Sequence, residues 1–304
     1  MKDLGELKFF LGIKFERSNK GILMSQRKYA LELIFETGLS GAKLVSTPME
    51  LYQKLSTIEY DLSFRKGNAT ADEVLRDPGV YQRLVGKLLY LIMTRPDIAF
   101  VVQVLSQFMH CPRISHMEAA SRVVRYIKKA PGLGLLMPAK DTKNLTAYCD
   151  SDWEACVETR RSVTGYLVKF GNALVSWKSK KQSIVSRSST EAEFRSMASC
   201  AAEVNWFIGL YAELGRKVCL PMKLVCDSKA AIQIAANPIF HERTKHIDID
   251  CHFVREKLCE GMLKTKYVHT EDQLADLLNK CLGKAQQEYL LNNFGLKNVY
   301  QSSV

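Results

Sequence analysis

A change of hydrophobic pattern near residue 143 constrains the fold of this 304-residue chain more than any other feature. Beyond it, NLTAYCD (144–150), SVTGYLVKF (162–170) and ALVSWKSK (173–180) read as three strands, the last two joined by Gly171-Asn172. A long helix follows from about 191 to 214. Then come a strand in MKLVCD (222–227), a short helix in SKAAIQIAAN (228–237) and a helix in KHIDIDCHFVREKLCEG (245–261). A strand in MLKTKYV (262–268) and a last helix in DQLADLLNK (272–280) complete the series. Three antiparallel strands followed by strand–helix units specify a mixed α/β sheet covered by helices.

The upstream half has a different texture. ELKFFLGIKFERS (6–18) and GILMSQ (21–26) alternate like strands around the turn Ser18-Asn19-Lys20-Gly21. RKYALELIFETG (27–38) has helical spacing and a glycine stop. Residues 46–78 are polar and weakly periodic, which predicts an extended connector. Three helices are expected between 80 and 130. The third has Ser115 and Glu118 spaced as a capping box and Pro131-Gly132 as a stop. It carries Arg122, Arg125, Lys128 and Lys129 on its polar side, either as a solvated face or as a face that tracks nucleic acid. This reading divides the chain at 1–78, 79–140 and 141–304.

The chain has 43 Lys and Arg against 32 Asp and Glu, a formal net charge of +11. An acidic small molecule or an anionic membrane could use that surplus; nucleic acid is its commoner partner, because phosphates require neutralising. No run of about 18 apolar residues marks a membrane span, and the N-terminus lacks a signal-peptide pattern. A cytoplasmic or nuclear location, without secretion, is therefore expected. Nine cysteines occur without a CxxC pair, which speaks against a structural zinc site. Those in TAYCD and LVCDS look like small buried hydrophobes.

Four acids draw attention by position. Asp150 and Asp227 close strands, where side chains project beyond a sheet edge. Glu193 lies in the first turn of the long helix, and Asp276 lies early in the last helix. Each has a plain alternative. Thr190 and Glu193 fit a capping box, Asp227 could cap the helix that follows it, Asp150 could be a turn residue, and Asp276 a surface acid. Converging carboxylates repel one another unless cations neutralise them, and oxygen donors suit Mg²⁺ or Mn²⁺.

The words around these acids resemble the polymerase–RNase H segment of copia-type (pseudovirus-class) retrotransposon Pol polyproteins. AYCDSDW, TRRSVTGYLV, VSWKSKKQ, SRSSTEAEF, CDSKAAI, TKHIDIDCHFVRE and QLAD follow the order of that family's RNase H domain. Upstream, MKDLGELKFFLGI, GILMSQRKYALELI, STPME, YQRLVGKLLYLIMTRPDIAFVV and RVVRYIKKAPGLGL are similar to the end of its reverse transcriptase and the connection that follows. The resemblance implies an RNase H-like five-stranded mixed sheet with flanking helices over 141–304. Before it would come a truncated palm end and thumb-like part over 1–78 and a helical connection over 79–140. It places the family's catalytic, metal-binding acids on Asp150, Glu193, Asp227 and Asp276, with two Mg²⁺ ions, or Mn²⁺, as cofactor. Asp152 and Glu191 are near competitors, and His269 falls near a mobile histidine of related enzymes or is a plain loop residue.

The implied activity is endonucleolytic cleavage of the RNA strand in RNA–DNA hybrids, and the implied partner besides the hybrid is an upstream reverse transcriptase portion. Nucleic-acid contacts are expected at Lys178, Lys180, Lys181, Arg160 and Arg161, with Lys245-His246 adding charge and Trp177 either packing or stacking. The polymerase's acidic pair is not among these residues, so no DNA synthesis is expected of this chain alone. Ser228 stands where the family has Asn, Asn279-Lys280 where it has Thr-Lys, and WEACVETRRS replaces a Gly-containing loop. An inactive nucleic-acid-binding remnant, or a host-adopted interaction protein, is the alternative expectation.

Overall fold

A computed structural model describes residues 5–64, 72–139, 144–237, 248–298 and 300. Lys245-His246 lies outside the described residues. The chain divides into two units, one made of Met1–Lys140 with Cys281–Val304 and the other of Asp141–Lys280.

The first unit starts with three antiparallel strands, β1 (Phe9–Phe10), β2 (Ile13–Ser18) and β3 (Gly21–Ser25). Gly21 has φ +136°, and a Cβ there would meet the backbone oxygen of Met137 at 2.0 Å, so only glycine allows this turn to pack. Helix α1 (Arg27–Glu36) follows, then α2 (Ile58–Phe64), α3 (Pro78–Leu91), α4 (Ala99–Leu105) and α5 (Ile114–Lys129). Strand β4 (Leu133–Pro138) then pairs with β3. Leu33, Val85, Leu88, Val102, Val123 and Ile127 are among the side chains of one core shared by α1, α3, α4 and α5.

Three expectations change here. The stretch 46–78 is not a plain connector. It includes α2, whose Asp61 forms a buried ion pair with Arg113 at 2.6 Å, while Asp72 pairs with Arg113 at 2.9 Å. The cap of α5 is also different. The backbone N–H of Arg113 donates to Nδ1 of buried His116, and Ser115 instead donates to Asp72 at 2.6 Å. A partner 43 residues away outcompetes the local box. Finally, the basic side of α5 is held by its own unit: Arg122 reaches Glu50, Lys128 the carbonyls of Ser40 and Ala42, and Lys129 Glu288.

The second unit is built on β5 (Asn144–Asp152), β6 (Val163–Phe170) and β7 (Ala173–Lys181), a meander that ends at α6 (Ser189–Glu213). Strand β8 (Cys219–Cys226), helices α7 (Lys229–Ala236) and α8 (Asp248–Cys259) and strand β9 (Leu263–Tyr267) follow. The sheet order is β7-β6-β5-β8-β9, with β5–β8 and β8–β9 parallel. This is the expected five-stranded mixed sheet with flanking helices. Leu145, Ala147 and Cys149 of β5 point into a core with Phe194, Met197, Cys200 and Val204 of α6.

DQLADLLNK does not form an α-helix. Leu274–Leu278 is a short 3₁₀ helix, opened by Gln273, which accepts the N–H of Ala275. The second compact unit ends at Lys280. Helix α9 (Lys284–Phe294) and β10 (Leu296–Asn298) belong to the first unit, where β10 pairs with β4 and Leu296 lies opposite Leu135. Backbone hydrogen bonds and burial of Leu290 and Phe294 hold them there. The single core of α1 and α3–α5 likewise joins the segments expected to separate at 78/79. No described helix is long and apolar enough to cross a membrane.

Candidate active site

Parallel pairing of β5 with β8 is what brings two of the acids together. Tyr148 lies opposite Val225, so two residues further on Asp150 and Asp227 stand side by side. Neighbouring strands are about 4.8 Å apart. The strand β5 runs two residues past Asp150, to Asp152. Asp227 directly follows β8, and its Oδ2 accepts the Thr270 hydroxyl at 2.9 Å.

Glu193 is released from the cap. Ser188 is the N-cap of α6 and accepts the N–H of Glu191, whose carboxylate in turn accepts the N–H of Arg187. The reciprocal cap therefore uses Ser188 and Glu191 rather than Thr190 and Glu193. One side of the next turn faces the sheet and carries Glu193 toward Asp150 and Asp227. Glu193, Asp227 and the thiol of Cys226 offer atoms that all lie within 4.8 Å of one another.

The fourth acid arrives through a glycine. Gly165 pairs with Asp150 across β5–β6. A Cβ at Gly165 would sit 2.8 Å from the carbonyl of Ala275 and 3.2 Å from Cβ of Asn279. Its absence lets the 3₁₀ segment press onto the sheet beside Asp150. Lys280 Nζ then bridges Asp150 at 2.9 Å and Asp276 at 3.0 Å, and Asn279 donates to Asp150 Oδ2 at 2.6 Å. Backbone carbonyls of the same strand are tied down on both sides: Ser196 donates to Asp150 O at 2.7 Å and Gln273 to Cys149 O at 3.0 Å. Gln182 donates to Ser151, to Thr164 and to the carbonyl of Ala192, joining β5, β6 and the start of α6.

Electrostatics follow from this crowding. Burial, then the charge of Asp150 and the nearby Asp227, push Glu193 up to about 11. Burial and Asp150 push Asp276 up to about 8, and the same causes raise Asp227. Burial would also raise Asp150, but Lys280 and Asn279 outweigh it and hold that carboxyl below its usual range. Asp150 is thus the ionised centre of the group. The hydrogen bond with Cys149, and burial, hold the Cys226 thiol well above its ordinary value, so it is a neutral neighbour.

These residues fit hard divalent cations. Oδ1 of Asp150, Oε2 of Glu193 and Oδ1 of Asp227 are buried and, among the described residues, accept from no N–H or hydroxyl of a non-acidic residue; the three carboxyl groups lie within hydrogen-bonding reach of one another, an arrangement that is costly unless a proton or a cation lies between them. Lys280 meets Asp150 and Asp276 and leaves Glu193 and Asp227 without a cation among the described residues.

The expected nucleic-acid residues separate into two places. Lys178, Lys180 and Lys181 line a groove with Gln182, Arg195 and Asp250, beside the edge strand β7. Arg160 and Arg161 lie on the turn after β5 and do not line it; Arg160 pairs with Glu154 at 3.3 Å. Trp177 is partly buried, on the side of β7 away from Lys178 and Lys180. His269 is exposed, packs edge-on against Tyr267 and precedes the threonine that holds Asp227. Sequence reasoning missed Arg195, Cys226 and the contacts of Asn279 and Lys280 with Asp150. Only Arg195, four residues after Glu191 on one helix face, and Lys280, four after Asp276, had a spacing that could have shown a pair.

No protein-family model matches the chain. It is 41% identical over 299 residues to the "Retrovirus-related Pol polyprotein from transposon RE1" of Arabidopsis thaliana, covering 98% of this chain and 20% of that protein. It is 35% identical over 300 residues to the Pol polyprotein of transposon TNT 1-94 of Nicotiana tabacum, covering 95% and 21%. The chain spans about a fifth of the length of these relatives. It is also 39% identical over 208 residues to the uncharacterized mitochondrial protein AtMg00810 of Arabidopsis thaliana, covering 68% of this chain and 80% of that protein. Among solved structures, it is similar to the N-terminal RNase H domain of a Mycobacterium tuberculosis protein at 11% identity, covering 50% and 98%, with a TM-score of 0.33.

Proposed function

The chain belongs to the retrovirus-related Pol polyproteins of copia-type transposons, and we propose on that premise that its unit of residues 141–280 is a ribonuclease H-type endonuclease. Its substrate is an RNA–DNA hybrid, of which it cuts the RNA strand. The observation that carries this reading is the convergence of three buried carboxyl groups, Asp150, Glu193 and Asp227, from three separate parts of the chain, with no cation or N–H donor among the described residues on one oxygen of each. Asp276 completes the group across Lys280.

Asp150, Glu193, Asp227 and Asp276 are the residues that would hold two divalent ions, Mg²⁺ or Mn²⁺. When bound, such ions activate a water and stabilise the leaving oxygen of a phosphodiester. The chain's own contribution is placement. Gln182, Ser196 and Gln273 fix the backbone around Asp150 and Glu193, so the carboxylates are held before substrate arrives. Lys178 and Lys180, exposed on one face of β7, meet phosphates without reading sequence. Lys181 and Arg195 extend that groove, and Arg160 and Arg161 act from the neighbouring turn. Exposed His269, which packs on Tyr267 and precedes the threonine that holds Asp227, is the residue assigned to proton transfer in this reading. On the same reading, residues 1–78 are the end of a reverse transcriptase and 79–140 the helical connection to the nuclease.

The test is a labelled RNA–DNA hybrid incubated with the purified chain and Mg²⁺, beside Asp150→Asn and Asp227→Asn. Cleavage of the RNA strand to 3′-hydroxyl and 5′-phosphate ends, lost in both variants, is the expected result. Hybrid binding without cleavage would instead favour an inactive nucleic-acid-binding remnant.

A further inference from the structure

The oxygens of the carboxylate group fall into two sets. Oδ2 of Asp150 and Oδ1 of Asp276 hold the Lys280 ammonium at 2.9 and 3.0 Å. Oδ1 of Asp150, Oε2 of Glu193 and Oδ1 of Asp227 are buried and, among the described residues, meet no cation and no N–H donor, only the neighbouring carboxyl groups. Asp150, with a side chain 1% exposed, belongs to both sets. One half of the group is already met by a cation of the chain itself, and the other half faces inward with no cation among the described residues.

Lys280 is built for this position. It follows Asp276 by four residues, and its neighbour Asn279 is clamped on Asp150 Oδ2 at 2.6 Å. Its side chain is about a quarter exposed, so the ammonium has a way out to solvent. An ammonium and a divalent ion compete for the same carboxylate oxygens, and binding one displaces the other.

We propose that Lys280 is a tethered counter-cation that divides the group into two unequal ion sites. A first divalent ion takes Asp150, Glu193 and Asp227 with Lys280 in place. A second ion reaches Asp150 and Asp276 only by displacing the Lys280 ammonium, which then swings to solvent and is free to meet a substrate phosphate. The inference rests on the nuclease reading of the same site. It makes Lys280 a positioning residue that sets the order and concentration at which the two ions load.

The experiment titrates Mn²⁺ into the full chain by calorimetry, without substrate. The wild type should bind one ion and then a second at least about tenfold more weakly, the scale of one displaced charge-assisted contact. In Lys280→Met the second site should tighten by about tenfold and the first should change little. Lys280→Gln gives the same comparison if the methionine variant does not fold. A readout in the unmodified protein runs beside it. Lys280 should resist an amine-acylating reagent in chelator and become labelled at saturating Mn²⁺, followed by mass spectrometry. Labelling of Lys280 that is unchanged by Mn²⁺, or a second site that does not tighten in either variant, overturns the proposal. Loss of all Mn²⁺ binding in the wild type overturns the nuclease reading itself, and Asp150→Asn, expected to lose both ions, keeps the two failures apart.

Discussion

Replacing Glu193 with glutamine should stabilise the ion-free protein while weakening its response to divalent ions. The structure supplies the magnitude. Glu193 is pushed from an ordinary 4.5 to about 11, first by burial and then by Asp150 and Asp227. The folded chain therefore keeps this proton where the unfolded chain loses it. An acid raised in this way favours folding most below pH 4.5 and costs stability as pH rises toward 11. From 4.5 to pH 7 the cost accumulates over about 2.5 pH units at about 1.4 kcal/mol each, or about 3 kcal/mol. Glutamine keeps the shape of the neutral acid and does not titrate, so the variant avoids that cost. The assay is urea unfolding in chelator at several pH values. Trp153, Trp177 and Trp206 are the chain's three tryptophans and all lie in the second unit, so their fluorescence reports on that unit alone. The variant should exceed the wild type by about 3 kcal/mol at pH 7 and match it near pH 4.5. In saturating Mg²⁺ the difference should shrink or reverse, because the wild type gains more from the ion than a variant lacking one ligand of the first site. A variant no more stable than wild type in chelator at pH 7 would refute the argument that these carboxylates are held together against their own repulsion.

Other perturbations probe the supports of the site and the groove. Gly165→Ala should push the segment carrying Asp276 and Asn279 away from β6, since its Cβ would meet Ala275 O at 2.8 Å; Mn²⁺ titration should show the ion shared by Asp150 and Asp276 weakened by at least about tenfold. Arg113→Met breaks the buried pair with Asp61 and the partly buried one with Asp72 and should destabilise the first unit by about 3 kcal/mol, read by hydrogen exchange of α5. Lys178→Ala with Lys180→Ala should weaken hybrid binding and lower the salt dependence of log K by about two phosphate contacts, with retained ion binding. An unchanged salt slope would move the hybrid away from β7.

The sheet could be read from the chain because its evidence is local. Alternation in 144–180 and the strand–helix order after it left one sheet class, and strand ends located Asp150 and Asp227. Glu193 was ambiguous because two Ser/Thr–Glu pairs overlap in SRSSTEAEF, and only backbone geometry selects Ser188 with Glu191. Lys280 stood in plain view, but its bridge depends on Gly165 letting a distant segment approach, which no local pattern encodes. The return of β10 to β4 was equally hidden. Three residues pair across more than 150 positions, and neither partner carries a register signal of its own. Likewise, the box expected at Ser115 and Glu118 lost to Asp72 because the competing acid comes from another part of the chain.

The central claim is that Asp150, Glu193, Asp227 and Asp276 form one divalent-ion site. Anomalous diffraction from crystals soaked in saturating Mn²⁺ tests it most directly. The account predicts two peaks about 4 Å apart, both touching Asp150, one also touching Glu193 and Asp227 and the other Asp276. A single peak elsewhere, or no peak against these carboxylates at saturating Mn²⁺, would contradict it.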